Sequence, residues 1–282
     1  MSLSPFRLYL KLFFLTILCN ILSISTLFSQ ERYVVLSPEL GEIIAALGRL
    51  NRVVGVTKEC DYPKEYSSID KVGNFGSVNY EKVISKKPTL VFTSDLEHLQ
   101  LNNNLSKMNI PIASFYPKTF FELTQTILSI GQMTDTKTKA KTIVDSMKRA
   151  IAELKSTQKP RVYIEIYPKP IMSAAQTSFL GDLIHIAGGV NIFFDLKRDY
   201  SRVKSSQIIA KNPQVIILTY DGVDKENIAD RLGWREIDAV KRDEVFTTSD
   251  INPDIILRAS PRSTMGIVQL NEIFAATLVD KR

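Results

Sequence analysis

A helix–proline–strand unit that occurs twice constrains this chain more than any other feature. In Glu81–Phe92, EKVISKKPTLVF, Val83-Ile84 carries a helical pattern, Pro88 stops it, and Leu90-Val91-Phe92 is an apolar strand. In Ser206–Ile217, SQIIAKNPQVII, the pair Ile208-Ile209, Pro213 and Val215-Ile216-Ile217 fall at the same internal spacing. Two copies of one unit predict two lobes built on one plan. Just upstream of the first copy, Gly73 and Gly76 break regular structure and leave Phe75 presented at a turn.

The remaining segments alternate strand and helix, which predicts an α/β fold with parallel sheets covered on both faces. Tyr33–Leu36 reads as a strand, and Ser37-Pro38-Glu39 as a helix start with a capping hydroxyl. Leu40, Ile43, Ile44 and Leu47 form that helix's apolar stripe, ended by Gly48. A strand at Val53–Val56, a loop at Thr57–Pro63, a polar helix around Leu96–Met108, a strand at Ile110–Phe115 and a helix from Phe120 complete the first lobe, residues 31–134. Lys137–Lys155 reads as one long helix, striped by Ala140, Ile143, Val144, Met147, Ala150, Ile151 and Leu154. At 1.5 Å per residue it spans roughly 30 Å, enough to bridge two lobes, and residues 135–158 are assigned as that stiff connector. The second lobe, 159–282, begins with a strand at Arg161–Ile166. It continues through a loop at Tyr167–Thr177, a helix at Ser178–Ala187, the second copy of the unit and a loop at Ser249–Ser260 before the final helix.

Residues 1–30 are of another kind. Arg7 and Lys11 precede an apolar run, Leu12–Leu22, of signal-peptide length, followed by small residues. The protein is therefore expected in the periplasm, with a retained membrane anchor as the alternative. Removing Arg7 and Lys11 takes the net charge from +6 to +4. Basic and acidic residues are interleaved along the chain, which disfavours nucleic-acid binding. Cys60 is then the one cysteine outside the leader, so no internal disulfide is expected.

Catalytic signatures are missing from the sequence: it has no G-x-S-x-G, G-x-x-x-x-G-K-[ST] or G-x-G-x-x-G. His98 and His185 lie far apart, each on a predicted helix, and do not suggest a metal centre. A binding cleft fits better, because in open parallel sheets ligands sit on loops at the carboxyl ends of strands. Such loops carry Glu59, Tyr62, Phe75 and Ser94 in the first lobe and Met172, Tyr200, Asp250 and Arg258 in the second. Aromatic side chains among them suit a flat, largely apolar ligand, although Tyr62, between Asp61 and Pro63, reads as structural.

An ordered series of segments covers nearly all of the chain beyond the leader: LSPE at Leu36–Glu39, DYP at Asp61–Pro63, KVGNFGSVNYEKVISKKPTLV, GGVNIF at Gly188–Phe193, NPQVIIL, TSD at Thr248–Asp250 and RASPR at Arg258–Arg262. The series resembles the substrate-binding proteins of bacterial ABC importers with a helical backbone, most closely their vitamin B12-binding branch. The resemblance implies two lobes joined by a rigid helix, a ligand held between them with small closure on binding, and a monomer without enzymatic activity or cofactor. It also implies delivery to a permease with its ATPase. Phe75 and Tyr200 keep the aromatic character that the branch uses around a corrin, and Asp250 and Arg258 match. Glu59, Ser94 and Met172 stand where aromatics are expected. A corrinoid is the favoured ligand; haem or a ferric siderophore is the alternative, and a chelatase-like two-lobe enzyme or an anchored interaction protein with a vestigial cleft are the readings from other classes. For permease docking the family places a glutamate on each lobe's outer tip. Glu81 matches the first position, whereas Ser206 occupies the second, with Asp199 as a nearby candidate substitute.

Overall fold

The computed structural model describes residues 31–94 and 99–277, so the leader, His98 and the last five residues lie outside the described residues. Strands β1 (Tyr33–Val35), β2 (Val53–Thr57), β3 (Lys71–Asn74), β4 (Ser77–Val78), β5 (Leu90–Thr93) and β6 (Ile112–Ser114) form one sheet, ordered β4-β3-β2-β1-β5-β6. All its pairings are parallel except β3–β4, a hairpin with Phe75 and Gly76 at its tip. The second lobe holds β7 (Arg161–Glu165), β8 (Tyr167–Pro168), β9 (Ile171–Ala174), β10 (Val190–Asn191), β11 (Tyr200–Arg202), β12 (Val215–Leu218) and β13 (Val245–Phe246). Its main sheet is parallel, ordered β10-β7-β12-β13, and a small antiparallel sheet, β11-β9-β8, lies beside it.

The repeated unit forms the same structure in both lobes. Helix Tyr80–Ser85 feeds β5 and helix Ser205–Lys211 feeds β12, and Val83 and Ile208 are fully buried. Each of these strands is interior to a parallel sheet, between β1 and β6 in one lobe and β7 and β13 in the other. The repeat extends further than the sequence pattern. Each chain turn places a residue of positive φ just before the proline, Lys87 at 48° and Asn212 at 43°. In each lobe an arginine at the start of the first strand closes the helix end. Arg32 donates through Nε and Nη2 to the Lys86 carbonyl at 2.9 and 2.7 Å, and Arg161 donates likewise to the Asn212 carbonyl at 3.0 and 2.7 Å. These bonds satisfy carbonyls that a helix terminus leaves without an internal partner.

Helix Lys137–Ala152 joins the two sheets, with Ala140, Val144 and Met147 buried and Ile143, Ile151 and Leu154 packed against the core. It stops before Lys155 because Asn271 captures that residue's backbone, accepting from its N–H and donating to its carbonyl, both at 2.9 Å. One apolar cluster runs from Val35 and Ile43 through this helix to Ile164, Leu183 and Phe274, so the lobes share a continuous core.

Three local expectations differ from the structure. Segment Tyr167–Thr177, expected as a loop, contains the β8–β9 hairpin, and β9 pairs with β11 by matching Met172 to Arg202 and Ala174 to Tyr200. Strands of two to four residues are too short to show alternation, and their partner is distant in sequence. The turn expected at Phe75 is present, as the tip of the β3–β4 hairpin. The expected loop Ser249–Ser260 contains a short helix, Asp254–Leu257. Ser37 precedes helix Pro38–Ala46 without a side-chain cap bond, although the proline at its start is as expected.

Candidate ligand-binding site

Between the lobes lies a cleft of about 280 Å³, lined by Glu39, Phe75, Tyr116 and Pro117 from the first lobe and Phe179, Tyr200, Leu257 and Ala259 from the second. Each lobe supplies its wall from segments adjoining strand ends or hairpins. Glu39 opens the helix that follows β1, Phe75 tips the β3–β4 hairpin, Tyr116 follows β6, and Tyr200 begins β11. Four aromatic rings and one carboxyl dominate the surface. Burial pushes the Glu39 carboxyl up, and it pushes the Tyr200 hydroxyl up too, helped by the neighbouring Tyr116, Asp199 and Glu39. A surface dominated by aromatic rings favours a ligand with broad apolar faces.

Phe75 owes its position to Glu59, whose Oε2 accepts from the Phe75 backbone N–H at 2.8 Å. Glu59 thus lies behind the cleft wall. Ser94 is buried at the end of β5, where its carbonyl accepts from the Thr93 hydroxyl at 3.3 Å. Met172 faces an adjoining groove of about 520 Å³ together with Lys197, Arg198, Ser201, Arg202 and Tyr200, which lines both spaces. Asp250 accepts from the Thr247 backbone N–H at 2.8 Å and closes its own turn, away from the cleft residues. Of the residues singled out in the sequence, Phe75 and Tyr200 are the two that the cleft brings together.

Arg258 is engaged elsewhere, in an ion-pair cluster that crosses the lobes beside the cleft. Its guanidinium reaches Asp61 at 2.7 Å, Glu42 at 3.1 Å and Asp254 at 3.1 Å. Glu42, almost fully buried on the first helix, also accepts from the Ser260 hydroxyl at 2.5 Å and from Arg262 Nε at 2.9 Å. Arg262 stacks over the Tyr62 ring, 3.8 Å from its centroid, so Tyr62 belongs to this cluster. On the cleft's other side Lys118 pairs with Asp199 at 2.8 Å, and Asp182 Oδ2 accepts from the Phe120 N–H at 2.8 Å. Asp199 is therefore tied across the lobes. The helix carrying Glu81 and the one carrying Ser206 leave both side chains exposed, and Ser205 accepts from the buried Trp234 indole at 2.5 Å.

Glu39, Tyr116, Pro117, Phe179, Leu257 and Ala259 did not stand out in the sequence as ligand-facing. One signal for Tyr116 was present, since it directly follows the strand expected at Ile110–Phe115. Glu39 and Phe179 were legible only as helix-start residues, and which way a helix start faces depends on the opposite lobe. His185 is exposed on helix Phe179–Ile186, far from any such role.

Comparison with known proteins gives the arrangement a context. A Bacillus subtilis (strain 168) protein described as an uncharacterized ABC transporter substrate-binding lipoprotein, YvrC, is 32% identical over 254 residues, 86% of this chain and 79% of its own. The solved periplasmic vitamin B12-binding protein BtuF of Vibrio cholerae matches with TM-score 0.72 and 25% identity, over 86% of this chain and 96% of that one. The periplasmic haem-binding protein RhuT from Roseiflexus sp. RS-1 shares the fold with TM-score 0.78 at 21% identity, over 88% and 98% of the two chains. Residues 34–260, almost the whole of both lobes, match the family described as periplasmic binding protein, and the chain belongs to that family.

Proposed function

We propose that this protein is an exported, non-enzymatic solute-binding protein that captures a metal-containing chelate, a corrinoid in the first place, and delivers it to the permease of an ABC importer. The observation that carries this reading is the interlobe cleft walled by Phe75, Tyr116, Phe179 and Tyr200. Flat macrocycles bind by covering their faces with aromatic rings, and rings from two lobes cover two faces. Ligand sites commonly measure about 300–1,000 Å³, so a cleft of about 280 Å³ must widen to take a chelate. Phe75, half-buried at a hairpin tip, is the ring expected to move to supply that room, while Tyr200 packs against the core.

Export is inferred from the leader, and among the described residues no helix is long and apolar enough to cross a membrane. Docking is assigned to the outer helix tips, Glu81 on one lobe and Ser206 on the other. The decisive measurement is the absorption spectrum and binding isotherm of the purified protein with cobalamin, haemin and a ferric siderophore. Saturable one-to-one binding of cobalamin supports the reading. Binding of haemin or the siderophore alone moves it to the alternative chelate, and binding of none of the three overturns it.

A further inference from the structure

Glu39 is the one carboxyl among the cleft-lining side chains, and it shares the space with four aromatic rings. It sits in the first turn of helix Pro38–Ala46 and is half-buried. Nearby cations are engaged by others: Arg258 pairs with Glu42, Asp61 and Asp254, and Arg262 pairs with Glu42. Among the described residues Glu39 has no ion pair. A structural acid at a helix start gains from the dipole and is ordinarily left in water. Here the cleft removes much of that water, and burial pushes the carboxyl up, outweighing the opposing pull of Ser37, its own backbone N–H and the Arg258 charge. A polar group held in such a place costs free energy unless whatever fills the cleft hydrogen-bonds to it.

We propose that Glu39 selects the ligand by the chemistry of its edge, accepting hydrogen bonds from carboxamide N–H groups and disfavouring edges that carry carboxylates. The inference rests on the chelate reading above and says which class of chelate the cleft takes. A primary carboxamide offers two N–H donors and a carbonyl, so it donates to a carboxylate and exchanges hydrogen bonds with a protonated acid. A ligand carboxylate brought beside Glu39 meets either a like charge or an acid that must take up and hold a proton. Corrinoids carry carboxamides around the ring, whereas porphyrins such as haem carry two propionates. Phe75, Tyr116 and Tyr200 grip either macrocycle by its faces and do not distinguish the two edges. Glu39 does.

The test is the ratio of haemin to cobalamin affinity, measured by titration on the full chain for the wild type, Glu39→Gln and Phe75→Ala. Melting temperatures recorded in parallel identify any variant whose fold is damaged. Glutamine has the same shape and no charge, so Glu39→Gln is expected to raise the haemin-to-cobalamin ratio at least tenfold. Phe75→Ala is expected to lower both affinities and move the ratio less than threefold. A ratio unchanged within twofold in Glu39→Gln overturns the role of Glu39 while leaving the chelate reading intact. Tighter haemin than cobalamin binding by the wild type also overturns it. A folded wild type that binds neither ligand overturns both.

Discussion

Phe75 and Tyr200 come from opposite lobes and meet at one cleft, so their loss is expected to act on affinity rather than on folding. Burying an aromatic face against a large apolar ligand contributes on the order of 1–3 kcal/mol. Phe75→Ala and Tyr200→Ala are each expected to weaken cobalamin binding roughly tenfold, the lower half of that range. Phe75→Ala should leave the melting temperature nearly unchanged, because its ring is at a hairpin tip. Glu59→Ala is expected to weaken binding as well, although Glu59 is not among the cleft-lining residues, since it anchors the Phe75 backbone. Cys60 illustrates the opposite case, a residue with reactive chemistry and no access. It is 1% exposed, and burial pushes its thiol up to about 11. Thiol reagents at pH 8, with labelling followed by peptide mapping, are therefore expected to label Cys60 only after denaturation. Stoichiometric labelling of Cys60 in the native protein would contradict this placement.

Two equivalent helices, one in each lobe, carry the residues proposed for docking, and their tips differ. Glu81 is exposed in the first turn of helix Tyr80–Ser85, and Ser206 occupies the matching place on helix Ser205–Lys211. Glu81→Ala is expected to leave ligand affinity unchanged while reducing capture of the cognate permease. Breaking a partly buried charge pair at an interface costs about 2–5 kcal/mol, much of it from the stranded partner. Ser206→Ala removes at most a neutral hydrogen bond of about 1 kcal/mol and should change capture little. Pull-down of the permease with ligand binding measured beside it separates the two; full capture by Glu81→Ala would return that glutamate to a helix-start role. The second helix is held by the Arg161 clamp and the Trp234–Ser205 bond, and the first by the Arg32 clamp. Both helices are thereby tied to the strands of their own lobes.

At the scale of the whole molecule, the lobes are joined by more than the connecting helix. Glu42 is buried with both oxygens engaged by Arg258, Ser260 and Arg262 of the other lobe. Removing one member of a buried pair strands the rest, at a cost of about 3–5 kcal/mol. Glu42→Ala is expected to lower stability by that order in urea unfolding, and an unchanged midpoint would show that the cluster contributes nothing net. The same cluster gives the fold an acid limit. Burial pushes the Asp61 carboxyl up, but its hydrogen bond and charge contact with Arg258 outweigh this and hold it below its usual range. A carboxyl lowered in the folded state contributes stability above its unfolded value, about 3.9. That contribution is lost as pH falls through the lower folded value. Melting temperatures taken from pH 6 to pH 3 should therefore fall less steeply below pH 4 in Asp61→Asn than in the wild type. Because the shared core and this cluster bind the lobes together, ligand entry is expected to move side chains and loops more than whole lobes.

The two-lobe α/β plan was legible because it depends on local patterns: the 125-residue offset between Pro88 and Pro213, the helical stripe from Ala140 to Leu154, and apolar runs such as Val215–Leu218. Phe75 was legible too, since glycines on either side of an aromatic mark a presented turn. Residues such as Glu39, Tyr116 and Phe179 carry no such mark. They face a ligand-sized space only because the other lobe stands opposite, and that depends on contacts between residues far apart in sequence, from Phe120–Asp182 to Glu42–Arg262. Arg258 shows the same limit from the other direction. Its place on a loop suggested a ligand contact, yet Asp61 and Glu42, some two hundred residues earlier, converge on it. Periodicity and turn chemistry act over a few residues and decide the elements; charge pairing and cleft lining act across the fold, and only packing of the two lobes brings their partners within reach.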